Sequence, residues 1–180
     1  MSSDLSVSRY ARSARQLHWL MAGLVILAYA LILSRVQFER GSLERQWVVL
    51  SHFWVGLLVL ALVLPRLWVR HRHPVPPITP PLAASLEVVG RLTHYALYGF
   101  LLAQPLLGLF TVWLTIGEVK IPSSTWALPS PFAVDPELAK SLKGVHIWLG
   151  KAFYWVIGLH VLAALWHHLI RRDDTLKRML

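Results

Sequence analysis

The sequence predicts an all-α fold, an integral membrane four-helix bundle with its N and C termini on the cytoplasmic side. Three observations lead there. Of the 180 residues, 56% are hydrophobic and only 15% charged, where a soluble domain carries about 25% charged residues. Four long apolar stretches divide the chain, each close to the ~20 residues that one bilayer crossing needs. Lysine and arginine gather unevenly in the segments between them, with the excess expected on the cytoplasmic face. Four spans use nearly the whole length, so residues 1–180 read as a single transmembrane domain without a separate nucleotide-binding or catalytic domain.

The first helix is expected at about 15–35, around LHWLMAGLVILAYALIL. Arg9, Arg12 and Arg15 precede it as in a secretory signal. Its apolar run is long for such a signal, however, and ends in Leu33-Ser34-Arg35 with no small-residue cleavage site, so the helix is retained. The second, about 46–68, holds WVVLSHFWVGLLVLALVL before Pro65. The third, about 90–116, holds LTHYALYGFLLAQPLLGLFTVWLTI. Pro105 removes one backbone hydrogen bond there and crowds the preceding turn, which predicts a kink near Gly108. The fourth, about 143–170, holds VHIWLGKAFYWVIGLHVLAALWHHLI, and Lys151 is the only lysine or arginine within the four apolar stretches. None of them contains an acidic residue, and none alternates with the period of two that membrane strands require.

The connector HRHPVPPITPP holds five of the eleven prolines and is expected to be extended. Gly117–Lys143 is the longest loop, with Pro122, Pro129, Pro131, Pro136 and Trp126, and reads as a cap over the outer face. Eleven lysines and arginines fall in the tails and the middle connector, against six in the other two loops. In a soluble protein the net charge of +9 would suggest nucleic acid. Beside this much apolar sequence it reads instead as basic loops flanking lipid, with no nucleic-acid partner. Cysteine is absent, which excludes disulfides, cysteine-ligated clusters, thiolate catalysis and covalent c-type haem. Trp19, Trp47, Trp68, Trp113, Trp148 and Trp166 read as an interfacial belt.

Ionisable side chains inside spans are costly and mark function, and here they are histidines. His18, His94 and His160 fall toward the cytoplasmic ends of their helices, and His52 and His146 toward the outer ends. His146 and His160 are fourteen residues apart, which puts them about 40° apart around one helix and about 21 Å apart along it. That spacing stacks two cofactors, one per leaflet. His52 is the natural mate of His146. His18 and His94 both suit His160, and geometry from the sequence does not separate them. Paired imidazoles at one depth fit b-type haem, whose apolar macrocycle fills a bundle interior, whereas zinc wants three or four converging ligands. His167 lies seven residues after His160, a candidate proton donor to a quinone or a snorkelling end residue. His168 points about 100° away from it, toward headgroups. His71 and His73 read as solvated.

The segments QLHWLMAGLVILAYA, LSHFWVGLLVL, PRLWVRHRHPVPPITP, LTHYALYGFLLAQPLLGL and VHIWLGKAFYWVIGLHVLAALWHHLIRRDDTLKRML resemble the bacterial cytochrome b561 family, and within it the small four-helix superoxide:ubiquinone oxidoreductases. The resemblance covers nearly the whole chain, and its final helix and tail are the most specific part. It implies two haem b groups, their iron held by His18 with His160 on the cytoplasmic side and by His52 with His146 on the outer side. It implies transfer of electrons from periplasmic superoxide to ubiquinone, in a multi-pass protein of the bacterial inner membrane whose partners are lipid, superoxide and ubiquinone. His167, with Gln16 or Arg15, would line the quinone site, and Lys151, five residues past His146, would guide superoxide or snorkel to headgroups. The outer segments carry a net charge of only about +2, which permits electrostatic steering without arguing for it.

Two other functions use the same residues. A di-haem anchor subunit would relay electrons between quinone and a periplasmic protein partner. A histidine-lined metal or proton transporter would bind no haem, and the lack of carboxylates in the apolar stretches counts against it.

Overall fold

The computed structural model describes residues 9–120 and 125–180; Pro122 of the long loop lies outside them. Four helices dominate: α1 Arg12–Ser34, α2 Leu43–Arg72, α3 Ala84–Ile116 and α4 Pro136–Trp166. All four are long and apolar enough to cross a membrane. Their outward faces keep large apolar side chains exposed, Ile26 at 70% and Trp155 at 78% among them, as helices surrounded by lipid do. α1 packs on α2, α2 on α3 and α3 on α4. The α1–α4 seam is looser and is bridged by side chains, with the Tyr29 hydroxyl donating to the Gly150 carbonyl at 2.8 Å and the Tyr29 and Tyr154 rings 4.6 Å apart.

The helices start and stop on local chemistry. The Ser42 hydroxyl accepts from the Arg45 N–H at 3.2 Å, and the Asp135 carboxylate from the Leu138 N–H at 3.0 Å, with Pro136 as the first helical residue of α4; both are preferred N-terminal arrangements. The Asp135 cap starts α4 seven residues before the expected 143, and α3, without a side-chain cap, starts six before the expected 90. Apolar periodicity marks the lipid-facing length and misses polar first turns such as those of Glu87 and Glu137. α2 runs on through Pro65 to Arg72. α3 ends where Gly117 takes φ 77°, its N–H meeting the Trp113 carbonyl at 2.9 Å, a conformation that favours glycine.

The long loop folds as two short antiparallel strands, β1 Glu118–Lys120 and β2 Ala127–Pro129, with Val119 opposite Leu128. Phe132 then packs 5.7 Å from Phe110 and 6.4 Å from Trp113, so the loop closes over the end of α3. Trp113 is half-buried in this aromatic cluster, whereas Trp19, Trp47, Trp68, Trp148 and Trp166 are exposed.

At the opposite end the two termini and the proline connector lock together. α4 continues through a π-helical turn, His167–Arg171, and the tail finishes in a 3-10 turn, Lys177–Met179. The Tyr10 N–H donates to the Arg178 carbonyl at 3.1 Å and the Trp19 indole to the Met179 carbonyl at 2.9 Å. The Arg178 side chain, only 2% exposed, reaches the Pro76 carbonyl, and Arg15 reaches the Leu180 carbonyl.

Candidate functional site

One face of α4 organises the interior. His146, Phe153, His160 and His167 recur every seven residues, so each lies within about 20° of the one before. Phe153 stacks on Phe100 of α3 at 4.1 Å, midway between the two histidine levels. The buried trio Met21, Val59 and Val63 packs with Leu101 and Leu102 beside it.

At the level away from the termini, the His52 and His146 rings stand 6.2 Å apart and nearly perpendicular, at 84°. His52 directs Nδ1 at the Ala28 carbonyl, 2.8 Å away, and His146 directs Nδ1 at the Gln104 carbonyl, 3.0 Å away. A carbonyl only accepts, so each Nδ1 carries the proton and each Nε2 keeps a free lone pair, the form that ligates a metal. Glycines make this approach feasible: a Cβ on Gly108 would stand 3.4 Å from the His146 ring. Gln104 also donates its side-chain amide to the His146 carbonyl at 2.9 Å, and that amide lies 2.9 Å from where a Cβ on Gly150 would sit. A small, mostly apolar cavity of about 70 Å³ opens here, lined by His52, His146, Val25, Gly56, Phe100 and Pro105 among others.

At the terminal level three histidines converge. The His160 ring is 6.4 Å from His18 and 5.7 Å from His94. His94 directs Nδ1 back at the Gly90 carbonyl of its own helix, 2.7 Å away. His18 directs Nδ1 at Nη2 of Arg66, 3.0 Å away; arginine can only donate, so this nitrogen accepts.

These separations can be tested against a metal held between two imidazoles. With metal–nitrogen bonds of about 2.0–2.1 Å and a ring radius of about 1.1 Å, the ring centres should lie about 6.3 Å apart. The His52–His146 and His18–His160 pairs match at 6.2 and 6.4 Å, and His94–His160 stands at 5.7 Å. The His18 pairing also spans the loosely packed α1–α4 seam, whereas α3 and α4 pack directly on each other. Two stacked bis-imidazole sites in apolar surroundings fit haem b by donor type and spacing. Among the described residues no group of three His, Asp or Glu side chains is disposed to hold a bare metal ion.

His167 is half-buried, and its Nδ1 lies 2.5 Å from Oδ2 of Asp173. The sequence reading missed Asp173, which is 1% exposed and also pairs with Nε of Arg171 at 2.9 Å. Burial pushes its carboxyl up, but hydrogen bonds from His167 and from the Thr175 N–H outweigh this and hold it below the usual carboxylate value. The turn that brings Asp173 back under His167 depends on the π turn and on Arg172 at φ 57°, which no helical periodicity announces. Lys151 is exposed and about 140° around α4 from His146, so the structure does not bring it to the histidine pair. Arg15 contacts the C-terminal carbonyl, and Gln16 is exposed. His168 is half-buried with Nδ1 enclosed and without a hydrogen-bond partner, not turned to the surface. His71 and His73 are exposed.

Comparisons with known proteins agree on one family. The family model described as prokaryotic cytochrome b561 matches residues 9–180. The chain is 32% identical over 170 residues to a probable superoxide oxidase, CybB, of Yersinia pestis, covering 91% of both chains. It is 31% identical over 179 residues to cytochrome b561 homolog 1 of Escherichia coli K12, covering 97% of this chain and 98% of that one. With cytochrome b561 homolog 2 of the same strain the identity is 30% over 181 residues.

Proposed function

The chain belongs to the prokaryotic cytochrome b561 family, a membrane electron-transfer protein, and on that premise we propose that it oxidises superoxide and reduces ubiquinone through two haem b groups. His52 with His146 would hold one group and His18 with His160 the other. The observation that carries this reading is the pair of matched ring separations, 6.2 and 6.4 Å, at two levels of one helix face. Bound there, haem b supplies one-electron carriers at two depths of the bilayer.

The chain's own residues then divide the work. The Ala28 and Gln104 carbonyls fix the imidazoles of His52 and His146 with Nε2 inward. The apolar layer of Met21, Val59, Val63 and the Phe100–Phe153 stack keeps water and protons out between the levels. Reducing a quinone takes two electrons and two protons, and two superoxide ions give two electrons and leave as dioxygen. His167 would supply a proton: with Nδ1 fixed on Asp173, its Nε2 would be left to donate to a quinone oxygen and to be recharged from water at the terminal end. Arg15 and Gln16 flank that end. Lys151 contributes positive potential for an anionic substrate at the distal end. Both termini then lie in the cytoplasm of a bacterium, the protein in its inner membrane, and the distal loop in the periplasm, in accord with the excess of basic residues at the terminal end.

A single experiment tests the reading. The detergent-purified protein is examined by reduced-minus-oxidised spectroscopy with a haem count, then given a superoxide source and a short-chain ubiquinone. Two b haems per chain, reduced by superoxide and reoxidised by quinone, are expected. Two haems that superoxide leaves oxidised would overturn the superoxide assignment in favour of a relay subunit with a protein partner. A folded preparation without haem would overturn both.

A further inference from the structure

Arg66 of α2 carries a charge with no carboxylate partner among the described residues. Its Nη2 faces His18, and its Nε and Nη1 are buried without a hydrogen-bond partner. The guanidinium lies 5.6 Å from the centre of the Tyr98 ring. One turn along α2, Arg70 lies over the same ring at 5.5 Å. Two like charges one turn apart repel each other, and the apolar stretches around them contain no carboxylate. Among the described residues the ion pairs join Lys120 to Glu118, His167 and Arg171 to Asp173, and Arg178 to Asp174; none includes Arg66 or Arg70. A buried, unpaired guanidinium is costly to keep, and arginine's fork suits a carboxylate.

The contact with His18 sharpens the point. Arginine only donates, so the Nδ1 of His18 accepts and its proton sits on Nε2. When Nε2 binds a metal, the neutral ring carries its proton on Nδ1. Two donors cannot share one hydrogen bond, so Arg66 then needs another acceptor. We propose that Arg66, assisted by Arg70, is the anion clamp of the terminal level: it binds an oxyanion, supplied by a propionate carboxylate of the haem held by His18 and His160. The inference rests on the haem reading above. It adds that α2, which contributes no ligand at this level, fixes the cofactor's orientation through charge. Occupation of the clamp and ligation by His18 are linked, because each removes the obstacle to the other.

The test compares haem-loaded wild type with Arg66→Gln, Arg66→Lys and the surface control Arg40→Gln, each in detergent. Haem content, redox titration, the propionate modes in resonance Raman spectra and the rate of haem transfer to an excess of apomyoglobin are measured. A charge-assisted hydrogen bond is lost in Arg66→Gln, so one haem of the pair should leave roughly tenfold faster or more. Its midpoint potential should fall, because a positive charge that favoured the reduced iron is gone, and its propionate modes should shift. Arg66→Lys should recover part of each effect, and Arg40→Gln should show none. Haem potentials, transfer rates and propionate modes all unchanged in Arg66→Gln would overturn the proposal. So would unchanged haem signals accompanied by loss of tightly bound phospholipid, which would make a lipid phosphate the anion. A wild type that binds no haem would instead overturn the reading on which the clamp rests.

Discussion

His167 and Asp173 are joined by a contact of 2.5 Å that closes the π turn at the end of α4, with the Asp173 N–H returning to the His167 carbonyl at 3.1 Å. The carboxylate is buried, and its partners favour the ionised form. Its folded-state pKa is depressed, so the stability it contributes is fully present above the ordinary value of 3.8 and is lost as the pH falls through the folded value. Acid unfolding of the terminal end, followed through Trp19 fluorescence, should therefore begin below that value. Asp173→Asn should flatten this acid arm and cost about 1.5–3 kcal/mol at neutral pH. If the proton-donor role is right, the same variant should slow turnover with quinone more than it slows reduction by superoxide.

Removing either member of the distal pair should empty one site and spare the other. His52→Ala and His146→Ala are each expected to reduce the haem count from about two to about one per chain, since bis-imidazole ligation needs both rings. Pyridine-haemochrome analysis checks this. Two haems retained in either variant would rule out the pairing. His94→Ala should keep both haems under the proposed His18–His160 pairing, and loss of one haem would make His94 the partner of His160 instead.

Gly150→Ala acts without touching a ligand. Its new Cβ would stand 2.9 Å from the Gln104 amide, which holds the His146 carbonyl. Forcing that amide aside should cost about 1–3 kcal/mol and broaden the absorbance of the distal haem. A thermal melt followed by visible absorbance measures both. Gly158→Ala, where a Cβ would meet nothing within 4 Å, serves as the control.

Lys151 is exposed and points away from the histidine pair. Any part it has in superoxide capture is therefore long-range attraction, which salt screens over about 10 Å at 0.1 M. Lys151→Gln should leave haem content intact and slow superoxide-driven reduction only at low ionic strength, the two proteins converging as salt is raised. A salt-independent loss would mean direct contact with the substrate instead.

The four spans and both histidine levels were legible because lipid demands long apolar runs and makes each ionisable residue within them conspicuous. The choice between His18 and His94 was not, since both sit at the same depth of facing helices; the resemblance favours His18, and the structure brings both rings within 6.4 Å of His160. Helix starts at Ala84 and Pro136 were hidden by their polar first turns, although Asp135-Pro136 is a readable cap. Asp173 was missed because a π turn reverses the chain over six residues, and the place of Lys151 was only half legible, since its nearness in sequence to His146 hides the 140° between them.

The seven-residue recurrence of His146, Phe153, His160 and His167 makes α4 intolerant of changes in length in a position-dependent way. One residue inserted between His146 and Phe153 would turn everything beyond it by about 100°, taking His160 off the interior face together with the residue that anchors the tail. Seven residues inserted at the same place would preserve the face yet add about 10.5 Å between levels, a gap too long for the other three helices to match. The spacing of the two levels is thus a fixed length in this bundle, free to vary in side chains but not in count.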